Sequence, residues 1–473
     1  MISQRAYTRL PYFKPTMFYT CGSGKTGRYT FRFCWFLFVS LFIMMGCGTA
    51  TRLPVTSKHL PYGPEIIKSR IIESEVLKQS FAGFALYDPE LDSMVVAHQA
   101  DKYFVPASNT KLFTLYASLK MLGDSIPALK YAVHGDSLLF WGTGDPTFTH
   151  MDLKNTIAFD FLKNRKEKLF YLDAPFASTP FALNWGWDDY NYYYQPERNV
   201  FPVHGNVIKF TRQNNAAITV TPALFKKNIL PDTTLNKQKD AFRREWRTNQ
   251  VRFYPRHAAA RFATEVPFIT SPELVASLLA DTLKKPVRLL KRAIPKQAAI
   301  LYGLPADTVY KRMLQVSDNL LAEQLLVLCS GTISDTLSVE RAIKHMQETY
   351  LSGLPDKPVW VDGSGLSDMN LFTPRTIIAI LQKLLQEQPK EELFPLLAAG
   401  GRPGTLQHIY KADEPFVFGK TGSLAHVYNQ SGYLITKSGK LLLFSFINNN
   451  FSVPTAAVRN EMVRIITEIH EHY

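Results

Sequence analysis

The stretch Val105-Pro-Ala-Ser-Asn-Thr-Lys-Leu-Phe-Thr114 places Ser108 and Lys111 three residues apart at the head of an apolar run with helical spacing. Three residues is close to one helical turn. A helix starting between Pro106 and Ser108 therefore puts both side chains on one face, and the lysine amine can reach the serine hydroxyl. Backbone N–H groups at such a helix start stand beside the serine, where they can stabilise a developing oxyanion. Taken alone, the pattern also describes an ordinary helix N-cap. No other Ser-x-x-Lys occurs in the chain.

Before this stretch, Phe81-Ala-Gly-Phe-Ala-Leu-Tyr87 and Ser93-Met-Val-Val-Ala-His98 read as two strands joined by Asp88-Pro-Glu-Leu-Asp92, with helical spacing over 64–77. After it, from about 125 to 268, short β-type runs such as Leu138-Leu-Phe-Trp141 and Ala217-Ile-Thr-Val-Thr221 alternate with turn formers, and aromatics crowd into Trp185-Gly-Trp-Asp-Asp-Tyr-Asn-Tyr-Tyr-Tyr194. The segment is expected to be a β-rich insertion whose aromatics chiefly pack a small core, carbohydrate stacking being the other use for them. Helical spacing returns over 272–284, 306–330, 334–350 and 373–387. Phe416-Val-Phe418, Gln430-Ser-Gly-Tyr-Leu-Ile-Thr436 and Lys440-Leu-Leu-Leu-Phe-Ser-Phe-Ile447 read as consecutive antiparallel strands, followed by a helix over 455–470. Strands at both ends with helices between them predict an α+β fold in which one sheet is assembled from both chain termini.

Two further patterns bear on Ser108. Ser317-Asp-Asn319 lies in the helical region, and Lys420-Thr-Gly-Ser423 follows Phe416-Val-Phe-Gly on a late strand. Singly they read as a cap and a polar strand end. Ser-x-x-Lys at a helix start, Ser-x-Asn about 200 residues later and Lys-Thr-Gly on a late strand together form the motif set of class A β-lactamases and penicillin-binding proteins. Other matches fail in context. Lys25-Thr-Gly27 precedes an export signal, and Gly22-Ser-Gly-Lys-Thr26 has Tyr19 where a phosphate loop needs glycine. The histidines of His470-Glu-His472 point apart on a helix, so no metal site is expected.

Over most of its length the chain resembles the D-alanyl-D-alanine carboxypeptidase/endopeptidase branch of the penicillin-binding proteins, the class C or penicillin-binding protein 4 type. Besides the three motifs, the resemblance rests on Gly144-Asp-Pro146, Trp185-Gly-Trp-Asp-Asp189, Ser317-Asp-Asn-Leu-Leu-Ala-Glu323, Asp362-Gly-Ser-Gly-Leu-Ser367, Thr373-Pro374 and Ala398-Ala-Gly-Gly-Arg-Pro-Gly-Thr-Leu406. It implies a β-lactamase/transpeptidase-like catalytic domain over 64–124 and 269–473, interrupted by the β-rich insert at 125–268. It also implies hydrolysis of peptidoglycan stem peptides without a cofactor, and inhibition by β-lactams. Ser108 would be the nucleophile and Lys111 its base, with Lys111 poised near neutrality by burial and by a second cation, Lys420. Ser317 would relay the proton to the departing amine and Asn319 would hold the substrate backbone. Lys420 and Thr421 would bind the terminal carboxylate, and the N–H groups of Ser108 and Ser423 would hold the oxyanion. Gly422 would keep the strand edge clear for substrate. Two alternatives stay open: a β-lactamase or esterase on the same core, and a non-catalytic wall-binding lipoprotein.

The totals fit an exported enzyme. The 473 residues, 46% hydrophobic and 20% charged, describe an ordinary globular chain. Residues 33–45 form a run of thirteen largely apolar residues behind Arg28 and Arg32, too short for a membrane-spanning helix of about 20 and typical of a signal peptide. Met44-Met45-Gly46-Cys47 is similar to a bacterial lipobox, which would make 1–46 a signal peptide, Cys47 a lipidated anchor and 47–63 a tether to a membrane in the periplasm. A plain cleaved signal and an uncleaved anchor are the alternatives, and Met17 offers a second possible start. Residues 1–46 hold six of the 54 basic groups and no acidic one, so a chain from Cys47 has 48 basic against 40 acidic groups, a net +8. With no basic run interleaved with aromatics, nucleic acid is not an expected partner. Beyond the leader and Cys47 only Cys329 remains, which excludes a disulfide framework.

Overall fold

The computed structural model describes residues 62–235 and 239–473. The expected signal peptide, Cys47 and nearly all of the tether lie outside the described residues.

A six-stranded antiparallel sheet carries the site. Its order is Ala398–Ala399, Val417–Leu424, Val427–Ile435, Leu441–Asn449, Phe81–Asp88, Ser93–His98. The expected union of the two chain ends is the pairing of Phe81–Asp88 with Leu441–Asn449, in register Phe84↔Phe446 and Ala85↔Ser445. Both faces of its central strands are covered, which is why Phe81–Asp88 and Leu441–Asn449 read as nearly continuous apolar runs. Phe84, Leu86, Leu442, Phe444 and Phe446 pack with Ile71, Met462, Ile465 and Ile469 of the helices Pro64–Ile72 and Thr455–His472. The alternate residues Ala85, Tyr87, Leu443 and Ile447 face a core shared with the helices Lys111–Met121 and Pro374–Glu387. This is the two-residue side-chain period of a strand used on both sides.

The segment after residue 125 is β-rich as expected. It holds a mixed five-stranded sheet ordered Val287–Leu289, Lys168–Tyr171, Ser137–Gly142, Ser125–His134, Ala299–Pro305, and two three-stranded sheets. Both outer strands of the larger sheet come from beyond residue 268, where the insert was expected to end. Neither strand has a fully buried residue, so both lack the apolar alternation that marks a half-buried strand.

The helical run expected over 306–330 is two helices, Ala306–Gln315 and Asn319–Ser330. They part where Ser317 takes φ +63°, and Asp318 caps the second by accepting the Leu321 N–H at 3.1 Å.

Candidate active site

Ser108 stands on a tight turn, Ala107–Thr110, that runs directly into the Lys111–Met121 helix. Ala107 sits at φ +46°, a conformation that costs a non-glycine residue about 1 kcal/mol and must be held from outside. Glycines hold it on two sides. A Cβ on Gly365 would lie 1.9 Å from the Ala107 carbonyl oxygen, and one on Gly422 would lie 2.7 Å from the Pro106 carbonyl oxygen and 3.0 Å from the Ser108 nitrogen. Gly422 is thus required by the close approach of the Val417–Leu424 strand to the serine turn. Asn109, fully buried, donates to Ser431 Oγ at 2.9 Å and fastens the turn to the next strand.

Lys111 is completely buried, and its Nζ has three partners: Ser108 Oγ at 3.0 Å, Asn319 Oδ1 at 2.7 Å and the Ser364 carbonyl at 2.7 Å. Nζ donates to all three, as an ammonium does with its three protons, and an amine that has lost one proton can keep the bonds to Asn319 and Ser364 while turning its lone pair to the serine O–H. Burial lowers the Lys111 pKa to about 8, against the fields of Asp362, Glu323 and Asp318, which pull it upward. The second cation, Lys420, is itself buried beside Lys111, and a charge on either amine disfavours a charge on the other. Burial first, and the Lys111 charge second, hold Lys420 well below the ordinary lysine range with no carboxylate among the described residues opposing them. The motif lysines are therefore electrostatic neighbours, as expected.

Ser108, Ser317, Asn319, Thr421 and Ser423 line one cleft of about 870 Å³, with Tyr193, Tyr194 and Asp189 on its wall. Lys111, Lys420 and Gly422 lie beneath that surface. Lys420 Nζ donates to the Thr421 carbonyl at 2.7 Å. The Ser317 hydroxyl makes no hydrogen bond among the described residues and faces the cleft. Asn319, expected to hold substrate backbone, has its carbonyl oxygen taken by Lys111, and its Nδ2 donates to the Tyr194 carbonyl at 2.8 Å. Its first task in this structure is to orient the lysine.

Several determinants of Lys111 had no assigned role in the sequence reading. Glu323 accepts the Ser364 N–H at 2.7 Å, and so fixes the peptide unit whose residue offers its carbonyl to Lys111. Its other oxygen accepts from Arg198 at 3.2 Å, an ion pair buried at both ends. Burial and the neighbouring Asp362 charge raise the Glu323 pKa, while Arg198 and Ser364 work against the rise. Asp362 folds the 362–370 loop around itself, accepting from Gly365 N, Ser367 N, Asn370 Nδ2 and Trp185 Nε1 at 2.7–2.9 Å. A carboxylate inside the apolar run Leu320-Leu-Ala-Glu-Gln-Leu-Leu326 was the available signal that something buried must pair with it.

The model of the D-Ala-D-Ala carboxypeptidase 3 (S13) family matches residues 66–469. A D-alanyl-D-alanine carboxypeptidase of Haemophilus influenzae is 21% identical over 428 residues, covering 79% of this chain and 86% of the relative. One from an Actinomadura species is 24% identical over 458 residues, covering 84% and 82%. The crystal structure of penicillin binding protein 4 from Haemophilus influenzae superposes with a TM-score of 0.70 at 18% identity, covering 86% of this chain and 99% of that one, and so shares the fold. With a family model spanning nearly the whole described chain and a relative's fold recovered, the chain belongs to the D-Ala-D-Ala carboxypeptidase 3 (S13) family.

Proposed function

We propose that the chain is a serine-type D-Ala-D-Ala carboxypeptidase that hydrolyses peptidoglycan stem peptides through an acyl-enzyme on Ser108. The observation that carries this reading is the hydrogen bond between the buried Lys111 amine and Ser108 Oγ on the floor of an open cleft. Lys111 takes the serine proton as Oγ attacks the carbonyl between the two D-alanines, and the N–H groups of Ser108 and Ser423 receive the oxyanion. The Ser317 hydroxyl, free to rotate, passes the proton on to the leaving D-alanine. Water then releases the acyl group by the same path in reverse.

Thr421 and Ser423 meet the terminal carboxylate at the cleft surface, and Lys420 acts on it from below. A carboxylate arriving there favours the charged form of Lys420, and that charge in turn disfavours a proton on Lys111. Substrate binding thereby prepares the base. The open cleft also suits cross-linked peptides, so endopeptidase cleavage belongs to the same proposal.

We propose further that the enzyme is exported by the 1–46 segment and held at a membrane by lipid on Cys47. Radiolabelled palmitate incorporation lost in Cys47→Ala tests the anchor. For the activity, a pentapeptide ending in D-Ala-D-Ala should release D-alanine, and fluorescent penicillin should label the protein stably. Both should vanish in Ser108→Ala. Penicillin labelling that persists in that variant refutes the assignment, and rapid turnover of the label would identify a β-lactamase instead.

A further inference from the structure

The three most exposed large apolar side chains among the described residues all lie between Leu183 and Tyr193: Trp187 at 72%, Tyr193 at 67% and Leu183 at 66%. Other aromatics of the same stretch pack as the sequence reading expected. Trp185 is buried against the Asp362 loop, and Tyr190 is buried with its hydroxyl donating to the Arg244 carbonyl at 3.0 Å. Core packing therefore leaves Trp187 and Tyr193 unexplained.

Trp187 does not stand alone. Its ring meets Trp246, itself 44% exposed, edge to face at 5.7 Å, and Trp246 rests in the same manner on Tyr190 at 4.8 Å. The loop that presents Trp246 is held from inside. Buried Arg244 donates through one nitrogen to the carbonyls of Glu245, Trp246 and Thr248 at 3.0, 3.3 and 3.2 Å. A solvent-facing indole on a braced loop is a prepared surface rather than a packing residue, since an exposed aromatic cluster contributes little to folding. Exposed Asp188 and Arg247 flank the pair.

The ridge adjoins the cleft along the chain. Two residues past Trp187, Asp189 enters the cleft wall, followed by Tyr193 and Tyr194, and the Tyr194 carbonyl holds Asn319. A stem peptide bound at Ser108 is joined at its other end to a chain of N-acetylated aminosugars. Pyranose rings offer C–H faces that pack on indole rings, while their hydroxyl and acetamido groups reach water and flanking charges. We propose that Trp187 and Trp246 form a carbohydrate-binding ridge that seats the glycan strand while its stem peptide occupies the Ser108 cleft. This inference rests on the peptidoglycan-peptidase reading above.

The probes are a soluble β-1,4-linked N-acetylglucosamine tetramer, followed by tryptophan fluorescence, and two substrates of identical peptide sequence, one free and one attached to glycan. Saturable quenching by the tetramer is expected in the wild type. It should weaken about tenfold in Trp187→Ala and in Trp246→Ala, the loss expected when a stacking side chain is removed. Those variants should keep wild-type penicillin labelling of Ser108 and wild-type kcat/KM on free peptide, and lose several-fold in kcat/KM on glycan-linked peptide. Equal losses on both substrates, or no saturable tetramer binding, overturn the ridge. Concentration-dependent dimerisation abolished by Trp187→Ala, without glycan binding, would assign the surface to a second copy of the chain. Failure of the peptidase reading is distinguishable, because it would appear as absent penicillin labelling in the wild type whatever the ridge binds.

Discussion

Acylation of Ser108 should track the free-base form of Lys111, whose pKa burial lowers to about 8. On that footing roughly 1% of the amine is free at pH 6, roughly 9% at pH 7 and roughly 90% at pH 9. The rate constant for labelling by a fluorescent penicillin should then rise about ninety-fold from pH 6 to 9 and level off above about 8. A lysine at its ordinary value would give a rise of roughly a thousand-fold over that interval with no levelling. Glu323→Gln separates Lys111 from other titrating groups. It removes one of the carboxylates that hold the lysine pKa up, yet keeps an oxygen to accept the Ser364 N–H. The midpoint should move to lower pH. Because Arg198 loses its buried partner in that variant, the double variant Arg198→Met/Glu323→Gln should be measured as well. The assay is the second-order labelling rate across a buffer series, with folding checked by circular dichroism at each pH. A profile that stays log-linear through pH 9, or a midpoint that Glu323→Gln leaves in place or moves upward, refutes Lys111 as the base.

Gly422→Ala should lower the labelling rate by at least about a hundredfold and cost about 1–3 kcal/mol in urea unfolding, because its Cβ meets backbone atoms of the Ser108 turn that cannot yield like a side chain. Arg198→Met alone should cost about 3–5 kcal/mol by leaving Glu323 buried and unpaired, and adding Glu323→Gln should restore most of it; urea midpoints of the three variants decide this. Trp185→Phe removes the indole donor to Asp362 and should cost about 1–2 kcal/mol, with penicillin labelling slowed as the 362–370 loop loosens. Lys111 titrates near 8 when folded and 10.5 when unfolded, so between those values the unfolded chain binds more protons and stability rises with pH. Relative to Lys111→Met, wild-type stability should therefore gain about 3 kcal/mol from pH 8 to pH 10.5, a gain whose absence would contradict the buried amine.

The centre of the sheet was legible in the sequence because its strands there are long, apolar and bounded by turn formers, as in Leu441–Asn449, while the two-residue edge strand Ala398–Ala399 was not. The candidate site was legible because three short patterns stand in a fixed order, and order along the chain is a property a sequence displays directly. What lay hidden has physical reasons. The strands Val287–Leu289 and Ala299–Pro305 bury little and carry almost no pattern. The break at Ser317 depends on one backbone angle inside an apolar periodicity that runs across it. The Arg198–Glu323 pair joins residues far apart in sequence, and nothing local to either specifies the other. Burial, expected to lower the Lys111 pKa together with a second lysine, is the cause that dominates, and three carboxylates that had no part in the expectation limit it. Those carboxylates come from segments far from Lys111 in sequence, so nothing local to the Ser-x-x-Lys pattern announces them.

The pairing of Phe81–Asp88 with Leu441–Asn449 also sets a schedule. The Ser108 turn is clasped by Gly422, Ser431 and Gly365, which belong to segments made long after it. Until those arrive, Lys111 is hydrated, carries an ordinary proton and cannot activate the serine. A chain emerging in order is thus chemically silent for most of its synthesis, and it becomes a peptidase only when its last strand seats beside its first. Such long-range closure is slow to form, and the delay keeps a cell-wall hydrolase inert until its fold is complete.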